Sequence, residues 1–217
     1  FGKKTILMKR NISIATIFAL GVVMTACKGE VETAAEPTEN APAACFYSYN
    51  EGASTFEWTA FKTNDKVGVK GGFNEIMVES EAFDDPIAVL ESITFSMKTS
   101  SVETNDEGRN GKVAKFFFET INTPTIEGKI KSIGKDGKAT ISVTMNGIDV
   151  DVKGDYTLEG GDFSFTSTID VSLWNALEGI KALNAECNDL HKGKDGVSKL
   201  WSEVALSFTT SLSSDCD

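Results

Sequence analysis

Alternation with a period of two runs through most of this 217-residue chain and constrains what it can become. Phe56, Trp58 and Ala60 alternate with Glu57 and Thr59, and Ile93, Phe95 and Met97 with Thr94, Ser96 and Lys98. Ile126, Gly128 and Ile130 alternate with Glu127, Lys129 and Lys131. Ile141, Val143 and Met145 continue the pattern, followed by Val150 and Val152, Phe163 and Phe165, Ile169 and Val171, and finally Val204, Leu206 and Phe208. Successive side chains of a strand point to opposite faces, so each run is a strand with one apolar and one wet face. Turn chemistry separates the runs: Lys135-Asp136-Gly137, Asn146-Gly147, which suits a two-residue type I′ turn, and Glu159-Gly160-Gly161. About eight strands joined by short turns make an antiparallel meander, and a long meander loses its unpaired edges by closing into a barrel.

Three segments depart from this period. Pro86 to Leu90 reads as a short helical turn, and Asn105 to Glu119 as a helix with Val113, Phe116 and Phe117 on one face. From Ser172 to His191 the residues Leu173, Leu177, Ile180, Leu183, Cys187 and Leu190 recur at gaps of three and four. That spacing predicts one helix with Ser172 as its N-cap and Gly193 closing its end. The expected fold is therefore all-β, an antiparallel barrel of about eight strands with two or three short helices.

The N-terminal region reads as a targeting segment. Lys9 and Arg10 precede an apolar run from Ile12 to Ala26, and Met24-Thr25-Ala26-Cys27 closes it. A basic start, a short apolar stretch and small residues at the cut make a secretory signal peptide over residues 1–26. The run is shorter than the roughly 20 residues a membrane-spanning helix needs. Residues 1–7 read as upstream of the natural start at Met8. The cysteine at the cut resembles the lipobox of bacterial lipoproteins, although Met24 stands where Leu is commoner. That resemblance implies that Cys27 carries a diacylglycerol and anchors the chain in a membrane, since two acyl chains hold durably where one does not. Residues 27–44 then form a flexible tether, with Val31 its one bulky apolar residue and Glu30, Glu32, Glu36 and Glu39 extending it by repulsion. The folded domain is residues 45–217. Localisation to a bacterial cell envelope follows, on the periplasmic side or the cell surface. Lys28 after the cysteine, in place of an acid, favours the outer membrane.

Charge narrows the partners. The chain carries −11, and residues 1–26 hold four basic residues and no acid, so the remainder is more acidic still. Such a surface repels nucleic acid, and no basic stretch offsets it.

The run Arg109-Asn110-Gly111-Lys112-Val113-Ala114-Lys115-Phe116-Phe117-Phe118, followed by Ile121, Pro124 and Ile126, resembles the signature of the YceI-like family. The Phe56-x-Trp58 strand and the spacing of the later strands fit the same family. The stretch Leu183 to His191, with Asp195-Gly196-Val197-Ser198-Lys199-Leu200-Trp201, resembles its lipoprotein branch in Bacteroidota-like bacteria. The chain departs from the common pattern at Asn110, where Asp is usual, and in the long segment 172–201 before the last strand. The resemblance implies a lipocalin-like barrel around a long apolar ligand, polyisoprenoid or quinone-like, with no other cofactor. Ligand-lining residues are then Trp58, Phe95, Met97, Phe117, Ile126, Ile130, Ile141, Val143, Phe165, Leu206 and Phe208. Ala60, Gly128 and Ser167 are expected to leave the room. Apolar contact is worth about 0.8 kcal/mol per buried CH₂, so few polar groups are needed. The same side chains also suit a filled core, which leaves a second reading: a structural or interaction lipoprotein without a small-molecule ligand.

Arg109 is the candidate polar contact to a ligand head group, or else an ion-pair partner of Asp106 or Glu107 or a helix cap. Cys187 and His191, four apart on the predicted helix, share a face. Two ligands are too few for zinc, and a Cys–His nucleophile lacks an orienting residue in the sequence, so the expectation is no metal and no catalysis. Cysteines of an envelope protein can pair. A meander with an even strand count brings Cys45 and Cys216 together, and Cys187–Cys216 is the other pairing open.

Overall fold

Asn146 and Gly147 adopt φ of 51° and 69°, the positive pair that a type I′ turn demands, and they reverse the chain between two long strands as the sequence requires. The computed structural model describes residues 45–216. The expected signal peptide, the expected lipidation site Cys27 and the expected tether lie outside the described residues.

The strands in chain order are β1 (Phe46–Ser48), β2 (Thr55–Lys62), β3 (Val67–Phe73), β4 (Ile76–Glu79), β5 (Thr94–Lys98) and β6 (Val102–Glu103). They continue with β7 (Thr125–Ile133), β8 (Lys138–Met145), β9 (Ile148–Glu159), β10 (Asp162–Asp170), β11 (Leu200–Ser211) and β12 (Ser213–Asp215). Ten of them form one curled antiparallel sheet in the order β4-β5-β7-β8-β9-β10-β11-β2-β3-β6. The two ends of this order are the two halves of a single kinked hairpin. β4 continues β3 past Asn74, and β6 continues β5 past a helical turn at Thr99–Ser101. Phe73 faces Val102 on one side of the kink and Ile76 faces Met97 on the other. Hydrogen bonds from Asn74 N to Ser101 O at 2.9 Å and from Lys98 N to Glu75 O at 3.0 Å span the break. With each kinked strand taken once, the ten strands make eight staves, and the sheet has no free edge along this seam. The fold is the lipocalin-like antiparallel barrel that the alternation implies.

Outside the barrel, β1 and β12 pair as a two-stranded clasp, and the disulfide Cys45–Cys216 closes it. Tyr47 and Phe83 exchange backbone bonds at 2.7 and 3.1 Å, which fastens the clasp to the segment before the first helix.

That helix, α1 (Pro86–Ser92), starts at Asp85, whose carboxylate accepts from Ile87 N at 2.9 Å, with proline in its first turn. Its own Val89 and Leu90 are fully buried. α2 (Glu107–Val113) is capped by Asp106, which accepts from Arg109 N at 2.9 Å, and runs on into a wider π-helical turn over Ala114–Glu119. That turn points both Phe117 and Phe118 inward.

The expected single helix from Ser172 to His191 is broken. The chain makes a short 3₁₀ turn at Val171–Trp174, then α3 (Leu177–Glu186), then a second 3₁₀ turn at Asn188–His191. Asp170, not Ser172, caps the first turn, and Asn175 at φ 56° interrupts the helical path. The cause is Trp174: fully buried, with Nε1 donating to Val143 O at 3.0 Å, it fixes the chain against the barrel before α3 begins. Consequently only the middle of the expected stripe is buried, Leu183 and Cys187, while Leu173, Leu177 and Leu190 are exposed.

Candidate functional site

Two adjoining cavities occupy the barrel interior. The first, of about 330 Å³, is lined by inward residues of β5, β7, β8 and β10, with Trp174, Ile169 and Phe208. The second, of about 450 Å³, lies between β2, β3 and β11 on one side and α2, the π-helical turn and α3 on the other. Six side chains face both: Phe56, Phe73, Ile126, Met145, Ile169 and Leu206. They stand between the two chambers as a waist, and the walls of the bore that the chambers together make up are predominantly apolar.

All twelve residues expected at the ligand site lie on this bore. Phe95, Met97, Ile130, Ile141, Val143, Phe165 and Phe208 line the first chamber, and Trp58, Arg109 and Phe117 the second. Ile126 and Leu206 belong to the waist. Two of the positions expected to leave room behave otherwise. Gly128 makes room for the wall itself, because a Cβ there would sit 2.3 Å from the Phe95 ring and 2.5 Å from Ser142 O. Ser167 donates to Lys153 O at 2.8 Å and lines neither chamber. Ala60 does line the second chamber. Sequence reasoning missed Phe73, Met145, Trp174 and Phe118. Met145 was visible in its alternating run; Trp174 and Phe118 were hidden because local helical geometry, not strand period, aims them.

Segment 172–201 supplies one wall of the second chamber through Ile180, Leu183, Cys187, Leu190, His191 and Trp201. Gly179 lets α3 approach the π-helical turn, since a Cβ there would stand 2.8 Å from the Phe117 ring. Asn110 uses both ends of its amide. Its Oδ1 accepts from Thr104 N at 2.8 Å and Thr104 Oγ1 at 2.6 Å, and its Nδ2 donates to Glu103 Oε1 at 3.0 Å. An ionised aspartate at this position could not donate to Glu103. The bond from Asn110, with a second from Asn105 N at 2.6 Å, lowers the Glu103 pKa from its ordinary value, Asn110 contributing most.

Polar groups gather at one end of the second chamber and are mostly engaged with each other. Arg109 sits on the chamber wall, half exposed, donating to Thr104 O at 3.3 Å and pairing with Asp106 at 3.5 Å. Lys112 pairs with Glu186 at 3.4 Å, and Lys62 donates to Leu190 O at 3.0 Å. Burial pushes the Cys187 thiol above its ordinary pKa, so it stays a thiol at neutral pH. Burial, with Lys62 and Lys112 nearby, lowers the affinity of His191 for a proton. Among the described residues no group of three or more His, Cys, Asp and Glu is arranged to hold a metal ion.

The hollow lipocalin-like barrel and the Arg109–Phe118 helix reproduce a known domain. A model of the YceI-like domain matches residues 47–212. The chain belongs to the YceI-like family. Solved structures agree on the fold. A polyisoprenoid-binding domain from Saccharophagus degradans, implicated in plant cell wall breakdown, superposes with a TM-score of 0.54 at 13% identity, covering 81% of this chain and 99% of that one. BcnA from Burkholderia cenocepacia superposes with a TM-score of 0.51 at 18% identity, covering 77% of this chain and 99% of that one. No curated protein matches the chain.

Proposed function

We propose that this YceI-like domain binds an elongated, isoprenoid-like apolar molecule along the bore, through the waist from one chamber to the other. The observation that carries this is the pair of adjoining chambers of about 330 and 450 Å³, a size range typical of small-molecule sites, with apolar walls and few polar groups. Transfer of an isoprenoid chain from water supplies the driving force, about 0.8 kcal/mol per CH₂. The name of the Saccharophagus degradans domain points to the same ligand class. Open volume supports this reading over a solid, purely structural barrel. The same reading holds that the domain sequesters or carries its ligand without transforming it, needs no other cofactor and binds no nucleic acid. Cys27, lipidated, keeps it at the envelope membrane, in our reading the outer one, where such ligands reside. Organic extraction of the purified protein followed by mass spectrometry tests it. A prenyl lipid in stoichiometric amount is expected, and repeated empty extracts from protein made in its native host overturn it.

A further inference from the structure

His191 is the chain's only histidine, is 8% exposed and lies on the wall of the second chamber. It is held at three points. Its backbone N–H donates to Cys187 O at 3.0 Å, and its carbonyl accepts from Lys199 N at 3.2 Å. Its ring Nδ1 lies 2.9 Å from Asn184 Oδ1. That same oxygen accepts from Ser198 Oγ at 3.2 Å. An amide oxygen only accepts, so Nδ1 carries the proton and Nε2 keeps its lone pair. Nε2 has no partner among the described residues, and the apolar side chains of Ile180, Leu183 and Leu190 share its wall.

The other polar atoms of this chamber differ in kind. Lys62, Arg109 and Lys112 are donors already engaged by Leu190 O, by Thr104 O with Asp106, and by Glu186. Asp106 is occupied by the cap of α2 and by Arg109. Trp58 Nε1 lacks a partner but exposes less than 1 Å², so it lies within the wall and not on its surface. A fixed imidazole lone pair in an oily chamber is a pre-organised acceptor awaiting a donor, and pre-organisation spares a ligand the cost of ordering it. Burial and the nearby lysines keep the ring neutral, which preserves that lone pair at neutral pH.

We propose that His191 Nε2 accepts a hydrogen bond from a hydroxyl group on the ligand, so that the second chamber selects an apolar chain ending in an alcohol over the same chain without an O–H. Asn184 and Ser198 are the positioning residues that fix the tautomer. The inference rests on the bore being the ligand site, as proposed above. In this arrangement the hydroxyl end lies in the second chamber and the hydrocarbon tail threads the waist toward the first.

The test compares geranylgeraniol with its methyl ether, which keeps the chain and the oxygen but loses the donor. The wild-type protein is expected to bind the alcohol about threefold to tenfold more tightly, the worth of one neutral hydrogen bond. His191→Leu should abolish that ratio, and His191→Gln, which keeps an acceptor near the Nε2 position, should retain part of it. A readout that needs no variant is the imidazole ¹⁵N spectrum, unambiguous because the chain has one histidine. The unprotonated nitrogen should move toward the protonated range on adding alcohol and stay put with ether. Equal binding of both probes with an unmoved Nε2 overturns this inference alone. Failure of both probes to bind overturns it together with the ligand-carrier reading.

Discussion

Trp58 and Gly71 are direct cross-strand partners on β2 and β3, and the indole fills the space a side chain at 71 would need. A Cβ there would stand 2.3 Å from the indole Cζ2 and 2.8 Å from Glu103 O, the backbone of the strand that closes the barrel. Glycine therefore does two things at once: it seats the tryptophan on the chamber wall and lets the kinked hairpin approach. Gly71→Ala should destabilise the domain by about 1–3 kcal/mol, as overpacking generally does, read as a lower urea midpoint. Gly111→Ala is the control. It lies inside α2 with nothing within 4 Å of its Cβ position, so it should be neutral or stabilising by up to about 1 kcal/mol.

The waist predicts a dependence on ligand length. Ile126 and Leu206 face both chambers, so Ile126→Trp should close the passage while leaving each chamber in place. Affinity for a long isoprenoid should fall at least about tenfold, roughly the loss of two buried CH₂ groups or more, while one short enough for a single chamber keeps its affinity. Calorimetric titration with chains of graded length reads the difference, and an equal loss at every length would remove the continuous bore.

His191 predicts the pH dependence of stability. Its folded pKa lies below the unfolded value near 6.5, chiefly through burial, so the unfolded chain binds the proton more readily. Stability is therefore full above about pH 6.5 and declines as the pH falls below it. The lowered carboxylates Glu103, Asp170, Asp189 and Asp195 act in the same direction, but only as the pH falls into the ordinary carboxylate range near 4. Urea unfolding between pH 7 and 5 should show a decline that His191→Leu flattens.

The clasp disulfide spans a sequence separation of 171, so its main effect is on the unfolded chain. Replacing Cys45 and Cys216 with serine together should cost roughly 2–5 kcal/mol in unfolding free energy. Reduction of the wild-type protein should reproduce the loss, and Cys187→Ser should leave the response to reductant unchanged.

Lipid anchoring has its own check. Cys27→Ser should move the protein from the membrane to the soluble fraction of the envelope and remove the diacyl mass from its N-terminal peptide.

How far the sequence revealed the molecule depends on the range of the forces involved. Alternation made the strands readable, because side-chain period is a local property, and it named the lining residues of β5, β7, β8 and β10. Closure was readable only as a general tendency. The kink at Asn74 and Ser101, where one hairpin becomes two strand pairs, depends on backbone bonds between distant segments. The Ser172–His191 stretch misled for a similar reason. Its helical spacing was real in α3, but burial of Trp174 against Val143 O overrode it upstream. Cys187 and His191 were visible as a pair on one face. What that face looks onto, and that Asn184 and not Cys187 holds the imidazole, required the fold.

A crystal structure of the protein purified from its native host, with any bound molecule retained, tests the central claim most directly. The account predicts one elongated ligand running from the first chamber past Ile126 and Leu206 into the second. Chambers collapsed onto their own phenylalanine side chains, with no continuous non-protein density between them, would contradict it.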